Sequence, residues 1–329
     1  PKAPFISKAY YIVGDFNSWS LNETSLPNYK FSRSDKDVYE DPIFTFTLTT
    51  TGTNQCWKII PQENIDANNL WAQGVLGTAK DGDISDAGTL VTDNPQAGKI
   101  VDAGTYVITL NMIDYTYSVV RADSYYMVGG VYGWNAEAAS KLAFYNEGGS
   151  KASITTQWTG DANLKIWNRA NINNWDLAWG SVTDGETAAE GDLVNSGANA
   201  FVCPEKGAYY TLTIDMSSKK YSWTKLDNQE PQAFSHVSII GGFNDWKADV
   251  DMTPTGPHNW DLRHKFTAAT GMKFRADHEW TTSWGGQTAA LADMIYCAAA
   301  GGDNLNIPAG TYDIYFNDIT GQFMFVAVN

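Results

Sequence analysis

One phrase is written three times in this chain: YYIVGDFNSW at residues 10–19, YYMVGGVYGW at 125–134 and VSIIGGFNDW at 237–246. Each is a short apolar run, a glycine turn and a lone tryptophan. The tryptophans are Trp19, Trp134 and Trp246, spaced by 115 and 112 residues. That period is too long for a solenoid repeat and right for a small domain. The chain therefore reads as three copies of one module, at residues 1–122, 123–228 and 229–329. Whatever one module does, the protein does up to three times.

The module ends repeat as well, as AGTYVITLNMIDYTYSVV (103–120), KGAYYTLTIDMSSKKYSWTKL (206–226) and AGTYDIYFNDITGQFMFVAV (309–328). Each has a glycine, an alternating strand, a tight polar turn and a second strand. Period-two alternation puts Tyr106, Ile108 and Leu110 on one face, and likewise Tyr312, Ile314 and Phe316. No long amphipathic helix is visible. The pattern predicts an all-β chain of three tandem antiparallel β-sandwiches of Ig-like type, about seven strands each. LDNQEP (226–231) reads as a linker, and short connections elsewhere predict an extended string.

Composition narrows the function classes. The net charge is −15, from 22 Lys+Arg against 37 Asp+Glu. Nucleic acid and anionic membranes both need clustered positive charge, so neither is an expected partner. No segment approaches the roughly 20 apolar residues of a membrane-spanning helix. The chain starts at Pro1 without Met, so a leader has been removed or was never included. Cys56, Cys203 and Cys297 fall one per module, which reads as small buried apolar residues and not as a disulfide framework. All four histidines, His236, His258, His264 and His278, lie in the third module with no HExxH pair. A repeated function cannot rest on them, so they read as structural or surface groups. There is no GxSxG and no phosphate loop, and no carboxylate pair recurs in register. The loop DGDISD (81–86) lacks the glycine and terminal glutamate of an EF-hand and reads as a solvated turn. No catalytic residue, no metal and no cofactor are expected, and the chain is expected to be a monomer.

Aromatic residues and their polar companions do recur. The module centres read CWKIIPQENIDANNLWAQG (56–74), LKIWNRANINNWDLAWGS (164–181) and MKFRADHEWTTSWGG (272–286). Each begins as a strand with a central lysine: Lys58, Lys165, Lys273. Strand parity sends Trp57 and Ile59, Leu164 and Ile166, Met272 and Phe274 into the core. The opposite face carries Lys58 and Ile60, Lys165 and Trp167, Lys273 and Arg275. A polar loop with tryptophan follows: Trp71, then Trp175 and Trp179, then Trp280 and Trp284. Trp57, Trp158, Trp223 and Trp260 lie in strand patterns and read as core. Aromatic clusters rimmed by polar residues mark binding surfaces. Indole faces beside lysine suit a neutral sugar, whose C–H face stacks on the ring while its hydroxyls meet the rim donors. Two other readings stay open. The Ig-like modules could bind protein, with the tryptophans as contacts or plugs, or the chain could be the accessory region of a glycoside hydrolase.

GxFNxW, then a lysine-centred strand and a tryptophan loop, resembles the starch- and glycogen-binding modules. KFRADHEWTTSWGG, GDNLNIPAGTY and the three tandem copies resemble more closely the SusE/SusF outer-membrane starch-binding lipoproteins of Bacteroides-type bacteria. The resemblance covers the whole chain, strongest in the third module and weakest in the first. It implies sandwiches of starch-binding type, in which two angled aromatic platforms fit an α-1,4-glucan and a basic residue binds neighbouring hydroxyls. Carried over, it implies Trp246, Lys273, Arg275, Trp280 or Trp284, and Asn304 in the third module. In the second it implies Trp134, Lys165, Trp175 or Trp179, and Asn199, with Arg169 substituting for the arginine that Trp167 replaces. In the first it implies Trp19, Lys58 and Trp71, with Ile60 where Arg275 stands, so the second and third modules are expected to supply most of the binding. The implied ligands are starch, amylopectin and maltooligosaccharides. The implied place is the cell surface, as an outer-membrane lipoprotein beside other glycan-uptake proteins, although the family's lipidated cysteine and additional N-terminal domain are not seen in this sequence.

Overall fold

The computed structural model describes residues 4–50, 52–102, 104–121, 123–148, 151–227, 230–286 and 296–328. Its regular structure is mainly antiparallel strand, and the chain divides into two compact units, Pro1–Ala122 and Asp123–Asn329.

In the first unit, strand Gln55–Pro61 lies between Tyr10–Gly14 and Gly98–Ile100. A second sheet runs in the order Ile43–Thr50, Gly104–Asn111, Thr116–Arg121, Ala87–Thr89. Alternation makes this a sandwich. Tyr10, Ile12, Trp57 and Ile59 from the first sheet meet Phe44, Ile108, Leu110 and Tyr117 from the second. Fully burying one such side chain is worth about 1.5–3 kcal/mol, which sets the strand register firmly.

The second unit repeats the plan twice. Strand Asn163–Asn168 lies between Tyr125–Gly129 and Phe201–Val202, and strand Thr270–Ala276 pairs with Val237–Gly241, Ser283–Gly285 and Leu305–Ile307. Each such sheet shares a core with a five-stranded partner sheet built around the terminal hairpin, Tyr209–Asp215 with Lys220–Lys225, or Gly310–Asn317 with Gln322–Ala327. Trp158, Trp223 and Trp260 are buried in these cores, as Trp57 is in the first. The proposed boundary at 228/229 lies outside the described residues.

The two sandwiches of the second unit are also fastened together. Strand Gln322–Ala327 is apolar on both faces, so while Ile314, Phe316 and Phe323 fill the core, Met324 and Val326, with Tyr315 of the neighbouring strand, pack on Tyr126, Ala143 and Tyr145. Polar bonds frame this contact. The side-chain amides of Asn259 and Asn317 donate to the Thr155 carbonyl at 3.1 and 2.8 Å, and Arg169 pairs with Asp313 at 3.0 Å.

The cysteines depart from expectation: Cys203 is buried, Cys56 half-buried and Cys297 exposed, and all three are free thiols. Burial pushes the Cys203 thiol up to about 11, so it is inert at neutral pH.

Candidate functional site

In the first and third modules the outer face of the lysine-bearing strand carries the glycine turn and the tryptophan loop. In the first module the turn follows from close approach. A Cβ on Gly14 would stand 2.1 Å from the Cys56 carbonyl oxygen, so only glycine fits there. The Asn17 side chain accepts from the Gly14 amide at 2.9 Å, and Asp15–Asn17 winds as a 3-10 turn. Ser18 and Trp19 then both adopt left-handed backbone, φ 54° and 57°, closed by the Trp19 amide donating to the Gly14 carbonyl at 2.8 Å. The third module repeats each step. Gly241 abuts the Gly271 carbonyl, Asn244 caps Gly241, and Asp245 and Trp246 have φ 56° and 60°. Left-handed backbone costs a non-glycine residue roughly 1–2 kcal/mol. The turn therefore spends stability to aim one indole outward, the kind of strain found at functional positions.

The aimed rings meet the loop tryptophans with the same geometry. Trp19 and Trp71 lie 6.1 Å apart between centroids at 42°, and Trp246 and Trp280 lie 6.1 Å apart at 42°. Trp71 is 51% and Trp280 49% exposed, and their partners are half-buried. Each pair is an open, angled aromatic surface.

What lies beneath differs. In the first module Ile60 is buried among Tyr11, Val13 and Val75, with Trp19 packed on that layer, and the Trp19 indole N–H donates to Asp15 Oδ1 at 2.8 Å. In the third, Arg275 occupies the matching strand position. Its guanidinium carbon lies 4.7 Å from the Trp280 centroid, while Nε donates to Asp249 Oδ1 at 2.7 Å. That hydrogen bond holds the Asp249 carboxyl below the usual carboxylate range. Arg275 is thus a paired support under the platform and not the free donor expected. The half-buried Lys273 stands at the rim, Nζ 5.9 Å from the Trp280 centroid. Lys58 and Lys165 occupy the corresponding strand positions, opposite Val13 and Val128 as Lys273 is opposite Ile240.

The second module diverges. Its turn has Val131 and Tyr132 where the others have Phe-Asn, and it closes by the Gly133 amide donating to the Gly129 carbonyl. Trp134, 39% exposed, precedes the N-cap Asn135 of a short helix and is not left-handed. The aromatic pair here is Trp167 with Trp175, at 4.3 Å and 53°. Trp167 is fully buried, its N–H donating to the Asn174 carbonyl at 3.0 Å, and Trp175 is 44% exposed.

Several expected site residues are used elsewhere. Trp284, 7% exposed, pairs through the backbone with Phe274 and packs edge-on against Phe316, so it belongs to the core. Trp179 holds the equivalent place beside Ile166 and packs half-buried on the second core. Of the loop tryptophans in these two modules, Trp175 and Trp280 are the exposed ones. Arg169 donates to Tyr126 and Asp313 and is drawn into the contact between sandwiches. The Asn199 amide is tied to the Val182 carbonyl, and Asn304 lies exposed beside Gly271. Asp15 and Asp249 had no distinguishing sequence signal, but Asn17 and Asn244 did, since the Phe-Asn dipeptide marks the two matching turns. Among the described residues, one trio brings metal-type ligand atoms together: His236, Asp251 and His278, within 4.8 Å of one another.

The family described as "SusF, first starch specific CBM" matches residues 5–121 and again 119–225. The outer membrane protein SusF of Bacteroides thetaiotaomicron is 24% identical over 226 residues, covering 64% of this chain and 46% of that protein. The aligned part thus spans about half the length of that relative. The crystal structure of SusF from Bacteroides thetaiotaomicron aligns with a TM-score of 0.36 at 18% identity, over 98% of this chain and 73% of that one.

Proposed function

This chain belongs to the family of the first starch-specific carbohydrate-binding module of SusF, and on that premise we propose that it captures starch and maltooligosaccharides without cleaving them, at the outer-membrane surface. The observation that carries this is the repeated indole pair, Trp19 with Trp71 and Trp246 with Trp280, at one separation and one angle. Two angled aromatic faces fit successive glucose rings of a curved α-1,4-chain, each stacking its C–H face on an indole. Lys58 and Lys273 at the rim then donate to hydroxyls. The third module lies beyond the matched stretches, and its pair brings it under the same reading. In the second module Trp175, backed by Trp167, supplies one platform, with Trp134 as a separate exposed indole.

Several sites on one chain meeting one polymer turn later contacts into intramolecular events, with effective concentrations on the order of mM for short linkers. Long glucans are then held more tightly than short ones, which suits a protein that collects substrate for neighbouring uptake proteins. Affinity electrophoresis through amylopectin, xyloglucan and blank gels tests the reading. Retardation by amylopectin alone is expected, and it should be abolished when Trp71, Trp175 and Trp280 are all replaced by alanine. Equal mobility in the three gels, or release of reducing sugar by the purified chain, overturns it.

A further inference from the structure

The His236–Asp251–His278 trio lies at one end of three adjacent strands. The sheet order places Val250–Asp251 beside Val237–Gly241, and that strand beside Thr270–Ala276. His236 immediately precedes the middle strand, Asp251 ends its neighbour, and His278 sits in the turn after the third. The turn is firmly built. Asp277 and His278 are both left-handed, φ 49° and 61°, and Asp277 Oδ1 accepts from the amides of Ser235 and His236 at 2.8 and 2.9 Å. The two imidazoles stack at 4.7 Å and 29°. His278 Nε2 is 2.6 Å from Asp251 Oδ1, and His236 Nδ1 is 3.8 Å from Asp251 Oδ2.

We propose that His236, Asp251 and His278 bind a borderline transition-metal dication such as Zn2+ or Ni2+, and that the bound ion fixes the turn presenting Trp280. Two imidazoles and one carboxylate are the donor set such ions prefer, whereas Ca2+ and Mg2+ take oxygen ligands. Ligand atoms within 4.8 Å close onto a common ion at about 2.0–2.2 Å by rotation of three exposed side chains. The ion replaces the proton shared by His278 and Asp251. The ion would cross-link three strands, and its ligands flank the support of the platform. Asp249, two residues before Asp251, holds Arg275, and Trp280, two residues after His278, lies on Arg275.

Calorimetry of the full chain with ZnCl2 in a non-coordinating buffer, together with amide hydrogen exchange over residues 277–282, tests this. One ion per chain is expected, with slower exchange in that turn. His278→Asn, which tolerates left-handed backbone, and His236→Ala should each weaken binding at least tenfold, while His264→Ala leaves it unchanged. Absence of saturable binding, or undiminished binding in either trio variant, overturns the site. Binding without slower exchange overturns the fixing of the turn. Neither readout contains glucan, so failure here leaves the starch reading standing.

Discussion

The first and third modules present the same pair of indoles on different foundations, and the second presents a different pair. In the first and third the turn is set by glycine, asparagine and two left-handed residues, and the rings come out at one distance and one angle. Beneath them, one module has a buried isoleucine and the other an arginine–aspartate pair. The geometry is thus set by backbone, and the floor only has to fill the space. A buried Arg–Asp pair and a well-packed aliphatic residue of fitting shape are often energetically interchangeable, so the floor can drift while the platform stays. In the second module the Phe-Asn dipeptide is gone, and the floor itself became the second ring. Ile60 thus leaves the ring geometry of the first module unchanged. The module with altered presentation is the second.

The sharpest test separates platform from core within one loop. Trp284→Ala should destabilise the second unit by about 3–5 kcal/mol, the range for large aromatic truncations in a core. Trp280→Ala, four residues earlier, should change its stability by under about 0.5 kcal/mol. Thermal and denaturant unfolding of the full chain read both. If Trp280→Ala unfolds the unit as readily, the loop ring is structural and the pairing with the first module loses its meaning.

The next effect is on binding. Replacing Trp71 and Trp280 together removes one ring from each matched pair. Stacking on an aromatic is worth roughly 1–3 kcal/mol per ring by analogy with base stacking, so retention on starch granules should fall on the order of 10²-fold as multivalency is lost. Maltoheptaose binding by the second module should persist. Undiminished granule binding would show that the matched pairs are not the sites.

Trp175→Ala sharpens the contrast from the other side. It uncovers the buried Trp167, so it should lower both glucan affinity and stability, the latter by about 1 kcal/mol. Trp71→Ala should lower affinity alone. Equal stability effects in melting experiments would erase the difference between the two designs.

The smallest effect is electrostatic and distinguishes the two units. Burial pushes the Asp261 carboxyl up to about 6, and its Oδ1 has no hydrogen-bond partner among the described residues. Its unfolded value is near 3.9. The folded state therefore binds the proton more tightly, and the destabilising contribution grows as pH rises from about 4 to 6. Asp261→Asn should stabilise the second unit at pH 7 by on the order of 1 kcal/mol, with the gain gone at pH 4. Asp313 has the opposite sign. Burial disfavours its ionisation, but Arg263 and Arg169 hold it below the usual range, so its support is lost only in stronger acid. Melting curves at the two pH values check this, and a gain that persists at pH 4 contradicts it.

Much of this was legible in the sequence. The threefold phrase, the terminal hairpins and the outward parity of Lys58, Lys165 and Lys273 all follow from period-two alternation, which burial enforces. Loop tryptophans were harder. Trp280 and Trp284 share one short polar stretch, and only the backbone pairing of Trp284 with Phe274 sends the second ring inward. Arg169 looked like a site residue because it was read on the strand face of Trp167, but it begins a 3-10 turn just past that strand and pairs with Asp313, 144 residues away. The contact between sandwiches did leave a trace. The run Phe323–Val326 is apolar at every position, which in a strand signals burial on both faces.

That contact makes the second and third modules a poor place for scissors. Cutting between them would uncover Tyr126, Tyr145, Tyr315, Met324 and Val326 at once, a contiguous greasy surface of the kind that drives soluble proteins to self-associate. A lone third module is thus a reagent prone to precipitate, and silence from it would say nothing about its site. Dissecting the two modules' separate contributions therefore calls for point changes in the intact chain.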